Sequence, residues 1–286
     1  MPPSLQAALL GIVQGLTEFL PVSSSAHLIL ARAFFGFDGE QFGLAFDVAI
    51  HVGTLLAVLA YFQRDLRAMI GSLPHLLRPG PARSGEHVPI ERPDVRPGPE
   101  GARLIWLLGV GTIPIGVVGL AFGDAIERYL RTPEIAAAAL TLGAIGLFGA
   151  ERMGAKRRNE ESLTLAEAFW IGCAQAAALG PGISRSGATM TLAMLFGLRR
   201  AEAARFTFLL GIVAILGAAA MTSSDMLAEG VKSGAGIFVI GVLTSAVVGY
   251  LAVKYFIRYV TRHALDAFAW YRLAIAAAVL LWSWRG

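Results

Sequence analysis

Charge is scarce in this sequence. Of its 286 residues only 15% are Asp, Glu, Lys or Arg, against 56% apolar, where a soluble domain carries about 25% charged and about 45–50% apolar residues. That deficit excludes a disordered chain and most soluble enzymes. A single cysteine, Cys173, allows no internal disulfide and excludes a disulfide scaffold. The five histidines and the cysteine show no zinc-type spacing. No basic region precedes the first apolar stretch after Met1-Pro2-Pro3-Ser4, so a retained first helix is expected rather than a cleaved signal peptide. The net charge of +4 could suggest nucleic acid, but the arginines flank apolar blocks. That placement fits anionic headgroups and phosphates instead, and no nucleic-acid partner is expected.

What is abundant is long apolar sequence. A membrane-spanning helix needs about 20 apolar residues, and six blocks qualify: 43–63, 103–122, 133–150, 203–222, 235–257 and 264–284. Two regions are interrupted. An apolar helix over 4–20 ends at Pro21, and a short helix over 23–35 stops at Gly36; likewise 164–180 breaks at Gly180-Pro181-Gly182, and 184–197 ends at Gly197. A helix of about 13 residues rises only about 20 Å, too short for the membrane core. Breaks in apolar sequence are tolerated where the freed backbone lines a protein cavity. Both regions therefore read as re-entrant helical hairpins.

The hairpins are also alike. At one constant spacing Ala7 matches Ala168, Gly11 Gly172, Gln14 Gln175, Ser23 Ser184, Ser25 Ser186, Phe35 Phe196 and Gly36 Gly197. Each half then holds one hairpin and three spans, an odd number, so the halves must insert oppositely. The expected fold is an all-α polytopic membrane protein with six transmembrane helices and two re-entrant hairpins in an inverted-topology repeat. It forms a single domain, residues 1–150 being the first repeat and 164–286 the second, with 79–101 a flexible cytoplasmic loop rich in proline and glycine. With the N-terminus outside, seventeen Lys and Arg fall on the inner side and five (Arg32, Arg128, Arg131, Lys232, Arg285) on the outer, which sets the orientation. Thr164 and Glu167 have capping-box spacing at the start of the second hairpin.

The chemistry concentrates at the breaks. Gln14 and Glu18 share a helix face, and an acid in an apolar helix defaults to a functional role. Ser23, Ser24 and Ser25 then open a helix whose N-terminus offers free N–H groups and a positive dipole end to an oxyanion. His27 lies one turn on. One serine would suffice as a cap; three do more. In the second hairpin Arg185 stands between apolar helices and must meet an anion, which its planar fork suits if that anion is phosphate; an ion pair with Glu18 is the simpler alternative. Ser184, Ser186 and Thr189 add hydroxyls. Other polar residues read as structural: Asp47 and His51 at a helix start, Arg272 snorkelling to the inner interface, Glu151 ending its helix at the headgroups, and His75, His87 and His263 in or near inner loops.

The segments Gln14-x3-Glu18-x2-Pro21-Val-Ser-Ser and Pro181-Gly-x-Ser-Arg-Ser-x2-Thr189 resemble the two signature motifs of the undecaprenyl-diphosphatase family, also known as bacitracin-resistance proteins. The likeness extends over the whole chain in length, segment order and hairpin position. Members commonly carry Thr-Gly before the histidine, where this chain has Ser25-Ala26. The resemblance implies hydrolysis of undecaprenyl diphosphate to the monophosphate carrier and inorganic phosphate. This would recycle the carrier for peptidoglycan synthesis and give bacitracin resistance, at the outer face of the bacterial plasma membrane and with a divalent cation (Mg2+ or Ca2+). On that basis Arg185, with Ser184 and Ser186, would hold the diphosphate. Glu18 with Gln14 would hold the metal, or Glu18 would act as base. Ser24 would be the nucleophile unless water attacks directly, His27 a proton shuttle, and Thr189, Ser23 and Ser25 substrate contacts. The expected partners are the polyprenyl diphosphate and membrane lipids, and a homodimer is compatible with the sequence. Inverted repeats also suit a secondary transporter or lipid flippase, the alternative from another class. A purely structural membrane protein would leave Glu18 and Arg185 unexplained.

Overall fold

The computed structural model describes residues 1–37, 41–78, 97–130, 132–229 and 235–284, with side chains at all of these except 44, 127 and 220–229. Each apolar block forms a helix. In chain order these are α1 Pro3–Thr17, α2 Ser24–Phe35, α3 Leu44–Tyr61, α4 Gln63–Gly71, α5 Pro99–Leu130, α6 Pro133–Met153, α7 Leu165–Ala177, α8 Arg185–Leu195, α9 Arg200–Glu229, α10 Ala235–Val260 and α11 Asp266–Ser283. No strand occurs among the described residues. Five helices (α5, α6, α9, α10, α11) are long and apolar enough to cross a membrane, and α3 with α4 makes a sixth if that pair, bent by 71°, counts as one span. The protein is thus an all-α, multi-pass membrane protein.

Three boundaries differ from expectation. The block over 43–63 turns sharply after Tyr61, because Arg64, Asp65 and Arg67 cannot continue in an apolar layer. Helix α5 begins at Pro99 and runs on through Pro114 to Leu130, so the last residues assigned to the 79–101 loop are helical; 79–96 lie outside the described residues, as do Arg131, Lys232 and Arg285. Helix α9 extends to Glu229, well past the expected end at 222.

Packing exchanges partners between the halves. Helix α1 lies on α10, α7 lies on α5, α3 meets α9, and α6 meets α11. The glycines that match between the hairpins serve these contacts. A Cβ on Gly11 would strike Thr244 and sit 2.7 Å from the Gly241 carbonyl on α10; one on Gly172 would strike Gly111 and sit 3.0 Å from Pro114 Cδ on α5. Gly11→Leu or Gly172→Leu is therefore expected to cost about 1–3 kcal/mol through overpacking, read as a lower midpoint of thermal unfolding in detergent. Gly36 and Gly197 end α2 and the second hairpin at φ 63° and 93°, a conformation that favours glycine. At the centre Phe208 of α9 stacks edge-on with Phe19 of the first break at 5.3 Å and lies 5.9 Å from Phe256 of α10, seating the first break against the bundle.

The helix ends on the side rich in Lys and Arg are tied by ion pairs. Arg205 pairs with both Asp65 and Glu160, and Arg158 pairs with Glu167. Glu151 does not simply end its helix: its side chain is only 3% exposed, pairs with Arg200 at 2.5 Å, and accepts the Leu265 N–H at 2.8 Å at the start of α11. The expected capping box is formed, Thr164 Oγ1 accepting from the Glu167 N–H and the Glu167 carboxylate from the Thr164 N–H.

Candidate active site

Both breaks place a serine in an unusual backbone conformation. Ser23 has φ 73° and Ser184 φ 68°, a region that side chains avoid and that clusters at functional sites. Each begins the same turn: Ser23 Oγ lies 3.2 Å from Ser25 Oγ, and Ser184 Oγ lies 3.3 Å from Ser186 Oγ. The first residue of the helix that follows is Ser24 in one hairpin and Arg185 in the other. Helix α8 is capped by Ser184 Oγ, which accepts from the Gly187 N–H at 3.1 Å. Helix α2 has no side-chain cap among the described residues, so its first N–H groups stay open to a ligand.

The two breaks meet across a cavity of about 410 Å³. Arg185 Nη2 donates to Glu18 Oε1 at 2.5 Å, and Arg185 Nη1 to the Gly211 carbonyl of α9 at 3.1 Å. The other Glu18 oxygen accepts from Ser24 Oγ at 2.6 Å and Gln14 Nε2 at 3.0 Å. A second bond between the breaks runs from Ser186 Oγ to the Leu20 carbonyl at 2.9 Å. Glu18, Ser23, Ser24, Ser25, Ser184 and Arg185 all face the cavity, and Ile115, Leu179 and Ile215 add apolar lining. The lining therefore offers contacts to an anion and to a hydrocarbon.

The chain matches the family described as Bacitracin resistance protein BacA over residues 7–278, a span that includes both breaks. The chain belongs to this family. Among curated proteins it is 48% identical to an undecaprenyl-diphosphatase of Rubrobacter xylanophilus, the alignment covering 96% of each chain. It is 41% identical to one of Moorella thermoacetica over 98% of each, and 42% identical to one of Alcanivorax borkumensis over 97% of this chain and 98% of that one.

For this BacA family member the geometry rearranges several sequence expectations. His27 is not on the cavity wall: its Nδ1 meets the Ser23 carbonyl at 2.7 Å and its Nε2 the Tyr271 hydroxyl at 2.8 Å. It braces the strained turn from behind. The imidazole that faces the cavity is His51, with Nε2 3.6 Å from Glu18 Oε2 and Nδ1 2.7 Å from the Asp47 carbonyl. Asp47 also lines the cavity, paired with Arg32, so neither residue merely starts a helix. Thr189 is fully buried and donates back to the Arg185 carbonyl at 2.7 Å, stabilising α8 rather than reaching the cavity. Gln14, also fully buried, keeps its Oε1 without a partner among the described residues. Gln175 was visible in the sequence only as a repeat match; it is fully buried on the cavity wall with both amide atoms unpartnered among the described residues. A buried amide left unsatisfied is costly, and a bound ligand would satisfy it.

Proposed function

We propose that this protein hydrolyses undecaprenyl diphosphate to undecaprenyl phosphate and inorganic phosphate in the cavity between the two breaks, on the bacterial plasma membrane. The observation that carries the reading is the contact of Arg185 with Glu18, with Ser24 on the second carboxylate oxygen. It supplies an anion holder, a proton acceptor and a hydroxyl nucleophile within one polar pocket.

Phosphoryl transfer rests on positioning and on neutralising the charge of the transferred group. The Arg185 guanidinium exchanges its carboxylate partner for the terminal phosphate, joined by the open N–H groups of α2 and the amide of Gln175. Ser24 Oγ attacks the terminal phosphorus as its proton passes to Glu18. The bridging P–O bond breaks, and the lipid monophosphate leaves with that oxygen and takes the proton from Glu18. Water, deprotonated by the restored carboxylate, then attacks the Ser24 phosphoester and frees inorganic phosphate, and the proton returns from Glu18 to the departing Ser24 Oγ. The apolar lining residues receive the first isoprene units. His51 is the second proton-handling group in reach, while His27 holds Ser23 in place.

The donor set also suits a divalent cation. Glu18 offers a carboxylate, Gln14 an amide oxygen with no partner among the described residues, and Ser23 and Ser25 hydroxyls. A hard ion that is completed by substrate phosphates needs few protein ligands. When bound, such an ion would offset phosphate charge. Chelation should stop phosphate release, and Mg2+ or Ca2+ should restore it, with release measured colorimetrically in detergent.

The inner-side excess of Lys and Arg supports a cavity that opens to the outer face, and the shared hairpin geometry supports opposed insertion of the two halves. The transporter reading is not favoured, since the relatives are diphosphatases. The deciding experiment is release of phosphate from a long-chain isoprenyl diphosphate by purified protein, with acid quenching during turnover. Phosphate on Ser24 is expected; turnover with no phosphoserine and an active Ser24→Ala variant would assign the attack to water.

A further inference from the structure

Arg272 is the largest fully enclosed side chain among the described residues. The sequence suggests that it snorkels to the inner interface, and the structure corrects that. From the second turn of α11 its guanidinium turns inward and reaches three separate pieces of backbone. Nε donates to the Leu140 carbonyl at 3.1 Å and Nη2 to that of Ala139 at 3.2 Å, both on α6. Nη1 donates to Pro21 O at 3.2 Å in the first break. Nη2 also meets Gly182 O at 3.1 Å and Ile183 O at 3.0 Å in the second. Every hydrogen bond it makes among the described residues ends on a backbone carbonyl.

A broken helix leaves carbonyls without intrahelical partners, and inside a membrane no bulk water can satisfy them. A guanidinium offers five N–H donors in a fixed plane. Here that plane serves the carbonyl two residues before Ser23 and the two carbonyls just before Ser184. Room is left for it by two glycines: a Cβ on Gly143 would fall on the guanidinium, and one on Gly187 would lie 2.8 Å from Nη1. We propose that Arg272 is a positioning residue for the reaction, a brace that joins the two breaks so that Ser24 and Glu18 from one hairpin face Arg185 from the other at reacting distance. It does not line the cavity, so it acts through the residues it holds.

The inference rests on the phosphatase reading, and the test separates the two. Parent protein, Arg272→Lys and Gly143→Ala are purified and assayed on a long-chain isoprenyl diphosphate, with vanadate as a mimic of the transferring phosphoryl group. An inactive parent rejects the phosphatase reading itself. With an active parent, Arg272→Lys is expected to lower kcat about 100-fold, as misplacement by about 1 Å does, with KM within about threefold of parent. The vanadate inhibition constant should rise with the fall in kcat, because both report transition-state complementarity. Gly143→Ala keeps every charge and favours the helix, yet it displaces the guanidinium, so a loss in the same direction is expected. It also carries the test should Arg272→Lys fail to fold. Unchanged kcat in the folded variants overturns the proposal. So does a lower unfolding midpoint with unaltered vanadate inhibition, which would mark Arg272 as a stabiliser only.

Discussion

Replacing Arg185 with alanine is expected to cut phosphate release by about a thousandfold, the low end for an arginine that neutralises a transferring phosphoryl group, or about 4 kcal/mol of barrier. The guanidinium is the cation that contacts Glu18 across the breaks, and it is fixed on its other side by the Gly211 carbonyl at 3.1 Å. It is therefore already aimed before substrate arrives. Lysine offers a point charge in place of two planar donor directions, so Arg185→Lys should recover only part of the loss. Arg185 lies at the start of α8 with its side chain partly exposed to the cavity, and truncation there leaves room for water. The variant should express and remain monodisperse. Release within about threefold of parent in a folded Arg185→Ala protein would remove this cavity from the reaction.

The second large effect is expected at Glu18. Its carboxylate takes hydrogen bonds from Ser24, Gln14 and Arg185 together. Removing a positioned base costs typically 10²–10⁴-fold, so about a thousandfold loss is expected for Glu18→Ala. Glu18→Gln is the sharper probe. It keeps the shape and an acceptor for the Ser24 hydroxyl but cannot take the proton, and it should lose nearly as much. A fully active Glu18→Gln variant would leave Glu18 a structural partner of Arg185 and pass the role of base to His51, whose replacement would then become decisive.

The sequence showed most of the fold through two physical signals. Apolar blocks near 20 residues became helices because a buried backbone has no other partner than itself. Proline and glycine within such blocks marked the breaks at Pro21 and at Gly180 to Gly182. The residues brought together at the cavity, Glu18, Ser24 and Arg185, announced themselves as polar groups at those same breaks. Arg272 escapes the sequence because position along a helix suggests only how far a side chain can stretch; its acceptors come from α6 and from both breaks, remote in sequence, and those at the breaks are free to accept because the helices stop there. His27 and His51 were exchanged for a similar reason. Each meets a carbonyl four residues earlier through Nδ1, and only tertiary packing decides that Tyr271 takes one ring and the cavity the other. Glu151 looked like a headgroup residue until Arg200 and Leu265 folded onto it.

The two breaks share their backbone turn but not their chemistry. Where one places Glu18 and Ser24, the matching positions of the other hold Leu179 and Arg185. Two separate identical chains meeting about a twofold axis would have to make every such contact twice, each acid that meets a guanidinium being matched by a second identical pair. A cavity with a single acid, a single guanidinium and a serine where the second guanidinium would stand is open to such an architecture only once both copies lie on a single gene, where each can change without the other.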